Sequence, residues 1–339
     1  MTLSEVVSVA GKPGSFSVKV KCLPRFIDEK LCTGCGTCGE KCPVKVPAEF
    51  DMGIGVRKAA FVPFPQAVPF KYLIDSKNCT FFLKGRCRLC EKFCPTKAVR
   101  FEQQPVETTI DAASIVVATG FSPYMLAAKG PYGIGVHKNV VTALEFERML
   151  SASGPTKGHV LRPSDSKPPK RLVFIQCAGS RETGKGGKPY CSGFCCTYAI
   201  KDSILAREHE PSIESVSVLH MDLRTYGKGF EDFYRRARDK SGIEFLRGRA
   251  AKIETADTGV RKTDDSLSDS LIVHVEDTRE CRSKPVPADM VVLANAMRSQ
   301  PGIETLAQKL SVSYDRHGFI NEAHPKLRPV ETNTAGIFV

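Results

Sequence analysis

The sequence predicts an α/β protein with a cysteine-rich module set into it, and three observations carry that expectation. Runs such as Ser114-Ile115-Val116-Val117-Ala118, Leu172-Val173-Phe174-Ile175 and Met290-Val291-Val292-Leu293-Ala294 have the continuous apolar character of strands buried on both faces. Stretches of helical composition, Cys191 to Glu208 and Phe230 to Lys240, alternate with such runs, which argues for a parallel or mixed sheet. The 14 cysteines are clustered, falling at Cys32 to Cys42, Cys79 to Cys94 and Cys177 to Cys196, with Cys22 and Cys281 apart.

Taken in order, Ser15 to Lys21 alternates with period two and reads as a half-buried strand. Residues 25–103 hold the first two cysteine groups, and the strand Ser114 to Ala118 then closes on Thr119-Gly120. Segment 154–171 is rich in Pro, Gly and Lys and reads as a connection between domains. A second α/β unit starts with the strand Leu172 to Ile175 and continues through the helix Cys191 to Glu208. Ser215 to Leu219 is the next strand, Phe230 to Lys240 a basic amphipathic helix and Ile243 to Ile253 extended. Residues 261–270 read as a polar loop, followed by the strands Leu271 to Val275 and Met290 to Ala294.

With 339 residues, 42% hydrophobic and 25% charged, the chain can bury a sizeable core in two or more domains, which excludes disorder as its main state. No run approaches the ~20 apolar residues of a membrane span, and no signal-peptide core stands at the N-terminus, so a cytoplasmic protein is expected. The formal charge of +12 alone suggests a nucleic-acid partner. Trp is absent, the eight Tyr are not interleaved with basic residues, and no helix-turn-helix or nuclease constellation is present, so nucleic acid is not the expected partner. Fourteen cysteines are too few for a small disulfide scaffold and too many for an ordinary cytosolic enzyme, which points to metal.

Cys32-Thr-Gly-Cys35-Gly-Thr-Cys38-Gly-Glu-Lys-Cys42-Pro43 fits the bacterial ferredoxin run C-x-x-C-x-x-C-x-x-x-C-P throughout. Two-residue gaps let three thiolates on one tight loop reach three irons of a cube, while the cysteine before the proline serves the other cluster. Cys79, Cys87, Cys90, Cys94 and Pro95 repeat the motif with seven residues in the first gap instead of two. The crossed pattern of two-cluster ferredoxins assigns Cys32, Cys35, Cys38 and Cys94 to one 4Fe-4S cluster, and Cys79, Cys87, Cys90 and Cys42 to the other. A zinc site is disfavoured because four-ligand zinc sets lack this double C-P run.

In the third group, Cys177-Ala-Gly-Ser-Arg181 follows a strand and Cys191-Ser-Gly-Phe-Cys195-Cys196 opens a helix, where the dipole favours thiolates and an anionic cluster. The spacing by itself leaves three readings: an iron-sulfur site, a redox-active Cys195/Cys196 pair, or structural cysteines.

FIQCAGSR, YCSGFCCTYAIK, AFVPFPQAVPFKYLID and the ending GFINEAHPKLRPVETNTAGIFV, together with the ferredoxin-type insertion, resemble the A subunit of heterodisulfide reductase. They also resemble its bacterial relatives, among them the B subunit of the quinone-interacting membrane-associated oxidoreductase. The resemblance spans essentially the whole chain. It implies a thioredoxin-reductase-like, two-domain FAD/NAD(P)-type flavoprotein fold with an inserted two-cluster ferredoxin (α+β) domain, and a further 4Fe-4S cluster held by Cys177, Cys191, Cys195 and Cys196. The implied organisation is residues 1–24, 104–165 and 297–339 in the FAD-type domain, 25–103 as the insert, and 166–296 as the second dinucleotide-type domain with the third cluster. It further implies an electron-transfer subunit relaying electrons between FAD and the clusters, with flavin-based bifurcation as a family activity. Implied partners are the other subunits of such a complex and a ferredoxin, hydrogenase or dehydrogenase.

Ala118-Thr119-Gly120 is similar to the A-T-G turn at which such flavoproteins bring the backbone close to FAD. The G-x-G-x-x-G fingerprint is missing, and Gly53-Ile-Gly55 and Gly133-Ile-Gly135 lack its third glycine. The chain therefore reads as an internal piece of a longer protein, with FAD expected in the intact one. Cys177-Ala-Gly-Ser stands where a nicotinamide-binding turn would be, which argues against direct NAD(P)H oxidation. Lys201, five positions beyond Cys196, is the candidate catalytic and flavin-binding cation. The rival class is a cluster-bearing scaffold or relay without flavin. Bound anionic clusters would also offset much of the +12.

Overall fold

The computed structural model describes residues 1–126, 130–184, 186–256 and 270–339. The polar loop expected at 261–270 lies outside the described residues except at its last position. Contacts divide the chain into two units, Met1–Phe50 with Val56–Ser122 and Arg298–Val339, and Asp51–Gly55 with Pro123–Met297.

The first unit starts with a three-stranded antiparallel sheet ordered Ser4–Lys12, Ser15–Cys22, Val106–Ala112. Its register places Val6 against Val20 and Val18 against Ile110, so valines and isoleucines at alternate positions share a face. Cys22 and Val106 are direct partners at one end of the strand pairing, so the segment between them leaves and re-enters the sheet at one point. The Ile27–Val99 bridge continues that pairing into the cysteine-rich segment. Ile27, Ala59, Ala60, Ile74, Ala98, Val99 and Phe101 form its core, together with Cys32, Cys42 and Cys79. Its regular elements are short: helices Thr37–Glu40, Thr80–Lys84 and Leu89–Lys92, and the ribbons Lys45–Pro47 with Val56–Lys58 and Ala60–Phe61 with Leu73–Ile74.

Helix Ile303–Leu310 packs Ile303, Ala307 and Leu310 with Phe16, Val117 and Ile337 in a separate core. The strand expected over Ser114 to Ala118, buried on both faces, is instead the two-residue Ile115–Val116, with Val116 68% exposed. It pairs in parallel with Ile337–Phe338 alone among the described strands, so one edge is unpaired.

The second unit is built on a seven-stranded mixed sheet ordered Val140–Thr142, Met290–Asn295, Arg171–Ala178, Ser215–His220, Glu244–Thr255, Leu271–Asp277, Arg282–Ala288. The first five are parallel and the last two antiparallel. The period-two alternation divides the apolar residues cleanly. Phe174, Val218 and Val292 enter one core with helices Ala143–Leu150 and Cys195–His209, while Val173, Ile175, Leu219 and Leu293 enter the core on the other face. Phe146 meets Phe174 edge to face at 5.4 Å. The expected helix at Phe230 to Lys240 is Phe230–Asp239, with Phe233 and Tyr234 packed on the first core.

Segment 154–171 does not separate the units. The division falls at Ser122/Pro123, because Val140–Thr142 pairs with Met290–Asn295 and helix Ala143–Leu150 covers the same sheet. Residues 123–165 therefore join the second unit, where 104–165 was expected to belong to the other domain.

Candidate metal centres

In the first unit, the loop after Cys32 turns twice through the left-handed region, with Gly34 at φ +76° and Gly36 at φ +89°. A Cβ at Gly34 would come within 2.8 Å of both the Phe70 ring and its carbonyl, so glycine is what permits this turn. Backbone amides thereby face sulfur: Gly34 N–H donates to Cys32 Sγ at 3.4 Å and Ala98 N–H to Cys94 Sγ at 3.2 Å. The Thr37 hydroxyl lies 3.5 Å from Cys35 Sγ. Cys32, Cys35, Cys38 and Cys94 together line one small cavity, walled by Ile27 and Tyr72. These are the four residues the crossed ferredoxin pattern groups.

The second set shows itself electrostatically. Burial raises the Cys90 thiol to about 11, with Cys79, Cys42 and Cys87 adding to the rise. Burial likewise pushes Cys38 up to about 12, with contributions from Cys32, Cys90 and Cys35. Cys35 is lowered, chiefly by the Thr37 hydroxyl. Cys94 is opposed by burial but ends lowered, because the Ala98 amide and Thr96 hydroxyl outweigh it. Several thiolates crowded in a poorly solvated pocket repel one another unless a cationic centre sits among them.

In the second unit, strand Arg171–Ala178 ends in a sharp turn with Cys177 at φ +58°, Gly179 at +75° and Arg181 at +56°. The Ser180 and Ser192 hydroxyls, both buried and 2.9 Å apart, tie this turn to the loop bearing Cys191. Gly193 N–H donates to Cys191 Sγ at 3.4 Å. Cys195 and Cys196 occupy the first turn of the 15-residue helix Cys195–His209 and are both buried. Burial raises Cys195 to about 12, and Cys196, Cys177 and Cys191 raise it further. The third cysteine group is thus one electrostatic cluster at a strand end and a helix N-terminus.

Among the described residues, no three His, Cys, Asp or Glu side chains close on a point as ligands of a single ion do. A 4Fe-4S cube gives each thiolate its own iron and so keeps the sulfurs apart. The donor set, the amides aimed at sulfur and the glycine-lined turn all fit such a group.

Lys201 does not stand free. Its ammonium lies 2.6 Å and 2.8 Å from the two carboxylate oxygens of Glu147 and 3.2 Å from Asp202. Ala118, Thr119 and Gly120 form an exposed turn in the first unit, with Gly120 at φ +68° and open space where a Cβ would project.

Three arrangements near the third set were not evident from the sequence. Arg181 bridges Cys177 and Asp222, and Arg224 also pairs with Asp222 at 3.4 Å. Tyr198 is half-buried, and burial followed by the nearby Cys195 and Asp202 raises its phenol well above the usual value. Asp202 is 1% exposed, and burial followed by the neighbouring Glu147 raises its carboxyl to about 8. Only the one-turn spacing of Tyr198 and Asp202 on the helix hinted at this row.

Residues 25–47 match the family described as 4Fe-4S binding domain. The chain is 45% identical over 339 residues to the iron-sulfur A subunit of CoB–CoM heterodisulfide reductase from Methanocaldococcus jannaschii, covering 100% of this chain and 49% of that protein. It is 46% identical over 340 residues to the A subunit of the H(2):CoB-CoM heterodisulfide,ferredoxin reductase from Methanothermobacter marburgensis, with the same coverage. Among solved structures it is similar to the thioredoxin reductase of Lactococcus lactis, with TM-score 0.39 and 14% identity over 83% of this chain and 75% of that one. The family match defines an iron-sulfur protein of the 4Fe-4S kind. Over its whole length the chain is similar to heterodisulfide reductase A subunits, and it spans about half the length of the curated relatives it matches. No described helix is long and apolar enough to cross a membrane.

Proposed function

We propose that this chain is the cluster-bearing electron relay of a longer heterodisulfide-reductase-like subunit. Cys32, Cys35, Cys38 and Cys94 hold one 4Fe-4S cluster, Cys79, Cys87, Cys90 and Cys42 a second, and Cys177, Cys191, Cys195 and Cys196 a third. The observation that carries the reading is the cavity lined by Cys32, Cys35, Cys38 and Cys94, which draws one distant cysteine to a loop of three. Bound clusters supply one-electron storage with little nuclear rearrangement. The protein's own part is to hold the thiolates, direct amides such as those of Gly34, Ala98 and Gly193 at sulfur, and keep water away with Ile27 and Tyr72.

FAD belongs to this proposal for the longer protein. In the first unit the exposed Ala118-Thr119-Gly120 turn offers backbone to a flavin nucleotide; in the second unit Lys201, held in place by Glu147 and Asp202, is a positioned cation. Bifurcation at that flavin, and assembly with the other subunits and with a ferredoxin, hydrogenase or dehydrogenase, complete the reading. The test is metal, sulfide and flavin analysis of the full-length protein purified without oxygen. About twelve irons from these three sites, with flavin absorbance, are expected; zinc without iron, or no flavin, contradicts the corresponding part.

A further inference from the structure

Two side chains of the second unit keep polar atoms buried with nothing to bond. Gln176 and His220 are each 7% exposed, and neither Gln176 Nε2, Gln176 Oε1 nor His220 Nδ1 reaches a hydrogen-bond partner among the described residues. An unmet polar atom in the interior is costly, so such atoms mark the place of a group that completes them. Where the same condition arises at Arg148 and Asp202 it is offset by charge, through Asp51 at 2.9 Å and Lys201 at 3.2 Å. Gln176 and His220 have no such ion pair.

The sheet sets the two side by side. Strands Arg171–Ala178 and Ser215–His220 are parallel neighbours with Ile175 opposite Leu219, so Gln176 and His220 take the next position on each. Ile175 and Leu219 enter one core and Phe174 and Val218 the other, so Gln176 and His220 continue the face of Phe174 and Val218. Helix Cys195–His209 covers that face through Ala199 and Ile200. It connects two parallel strands and so runs back against them, which brings its first turn to the strands' last residues. Cys195 and Cys196 form that first turn, and Cys177 directly follows Gln176 in the chain. The unmet atoms therefore lie at the floor of the third cysteine group.

We propose that Gln176 is a hydrogen-bond donor to the iron-sulfur centre of Cys177, Cys191, Cys195 and Cys196, and that His220 holds its amide in position. This rests on the third-cluster assignment proposed above. The donors and acceptors fix the two roles. Thiolate and sulfide sulfurs only accept, so Nε2 is the Gln176 atom that serves them, and Oε1 is left needing a donor. His220 Nδ1, in register on the next strand, is the unmet nitrogen that supplies it. Burial, followed by Arg279, lowers the His220 imidazole to about 4, so the ring is neutral near pH 7 and has one N–H to give. When the centre gains one electron its sulfurs become more negative, and the bond from Nε2 strengthens. No covalent bond changes and no proton is transferred. Gln176 thereby raises the centre's reduction potential.

The test uses the full-length protein purified without oxygen, with glutamine labelled by 15N in its side-chain amide. Pulsed electron paramagnetic resonance reads the reduced third centre, identified as the signal lost in Cys195→Ala. The parent should show a 15N coupling at this centre, and Gln176→Leu should abolish it with iron content unchanged. In a redox titration Gln176→Leu should lower this centre's equilibrium constant for one-electron reduction about tenfold, or ~59 mV, with the other centres unmoved. His220→Phe keeps a planar ring without Nδ1; it should weaken the coupling and lower the constant by less than Gln176→Leu does. No 15N coupling in the parent, or an unmoved potential in Gln176→Leu, overturns the donor role, and the parent's coupling decides it even should the variant fail to fold. A coupling unaltered in His220→Phe overturns the positioning role. A parent lacking the third signal altogether would reject the cluster assignment and this inference with it, a result distinct from an unmoved potential.

Discussion

The Lys201 ammonium lies 2.6 Å from Glu147 and 3.2 Å from Asp202, so one cation serves two carboxyl groups from two helices. Asp202 is the buried member, and burial together with Glu147 holds its carboxyl at about 8. Glu147 is lowered; burial opposes this, while bonds to Asp202 and Lys201 outweigh it. The pair therefore keeps one proton near neutral pH, mainly on Asp202. The folded state binds a proton that the unfolded Asp gives up near its ordinary value of 3.8, so Asp202 costs stability progressively from about pH 4 to pH 8. Asp202→Asn should remove that slope. Urea unfolding at pH 5 and pH 8 should show the variant gaining on the parent toward pH 8; a constant difference between them would sink the assignment.

Gly34 sets the shape of the first cysteine loop. With φ at +76° and the Phe70 ring and carbonyl within 2.8 Å of a Cβ, Gly34→Ala should cost about 1–3 kcal/mol and displace the amide that faces Cys32. A lowered melting temperature with reduced iron at this site alone is expected. Phe70→Ala should not restore the loop, because the backbone strain remains. Full iron content and an unchanged melting temperature would contradict this account of the turn.

Arg181 is the cation beside Cys177, and Asp222 holds it there. A nearby positive charge favours the more negative, reduced state of a cluster. Arg181→Gln should shift the third centre's reduction potential downward in a redox titration followed by electron paramagnetic resonance, while the other two centres keep their potentials. Arg181→Lys should recover part of the shift. An unmoved potential would show that Arg181 acts on the loop alone.

The grouping of the cysteines was legible because ferredoxin spacing is local, and one short segment decides where three of them lie. Cys94 joining the first group was legible because the motif occurs twice. The strands of the second unit were legible as well, since Val173 to Ile175 and Val291 to Leu293 are buried from both sides. What stayed hidden depends on residues far away in the chain. Glu147 reaches Lys201 from another helix, Asp222 reaches Arg181 from beyond another strand, and no short-range pattern marks either. The run Ser114 to Ala118 looked like a central strand because apolar character does not tell how many neighbours a strand has. The boundary at Pro123 was obscured because Val140–Thr142 contributes only three residues to the sheet it joins.

The most direct test of the three-centre reading is to compare Cys94→Ala with Cys42→Ala in the full-length protein, by iron analysis and electron paramagnetic resonance of the reduced sample. The expected result is that Cys94→Ala damages the centre of Cys32, Cys35 and Cys38, and Cys42→Ala the centre of Cys79, Cys87 and Cys90, with the third signal intact in both. Loss of the same signal in both variants, or loss of none, would contradict it.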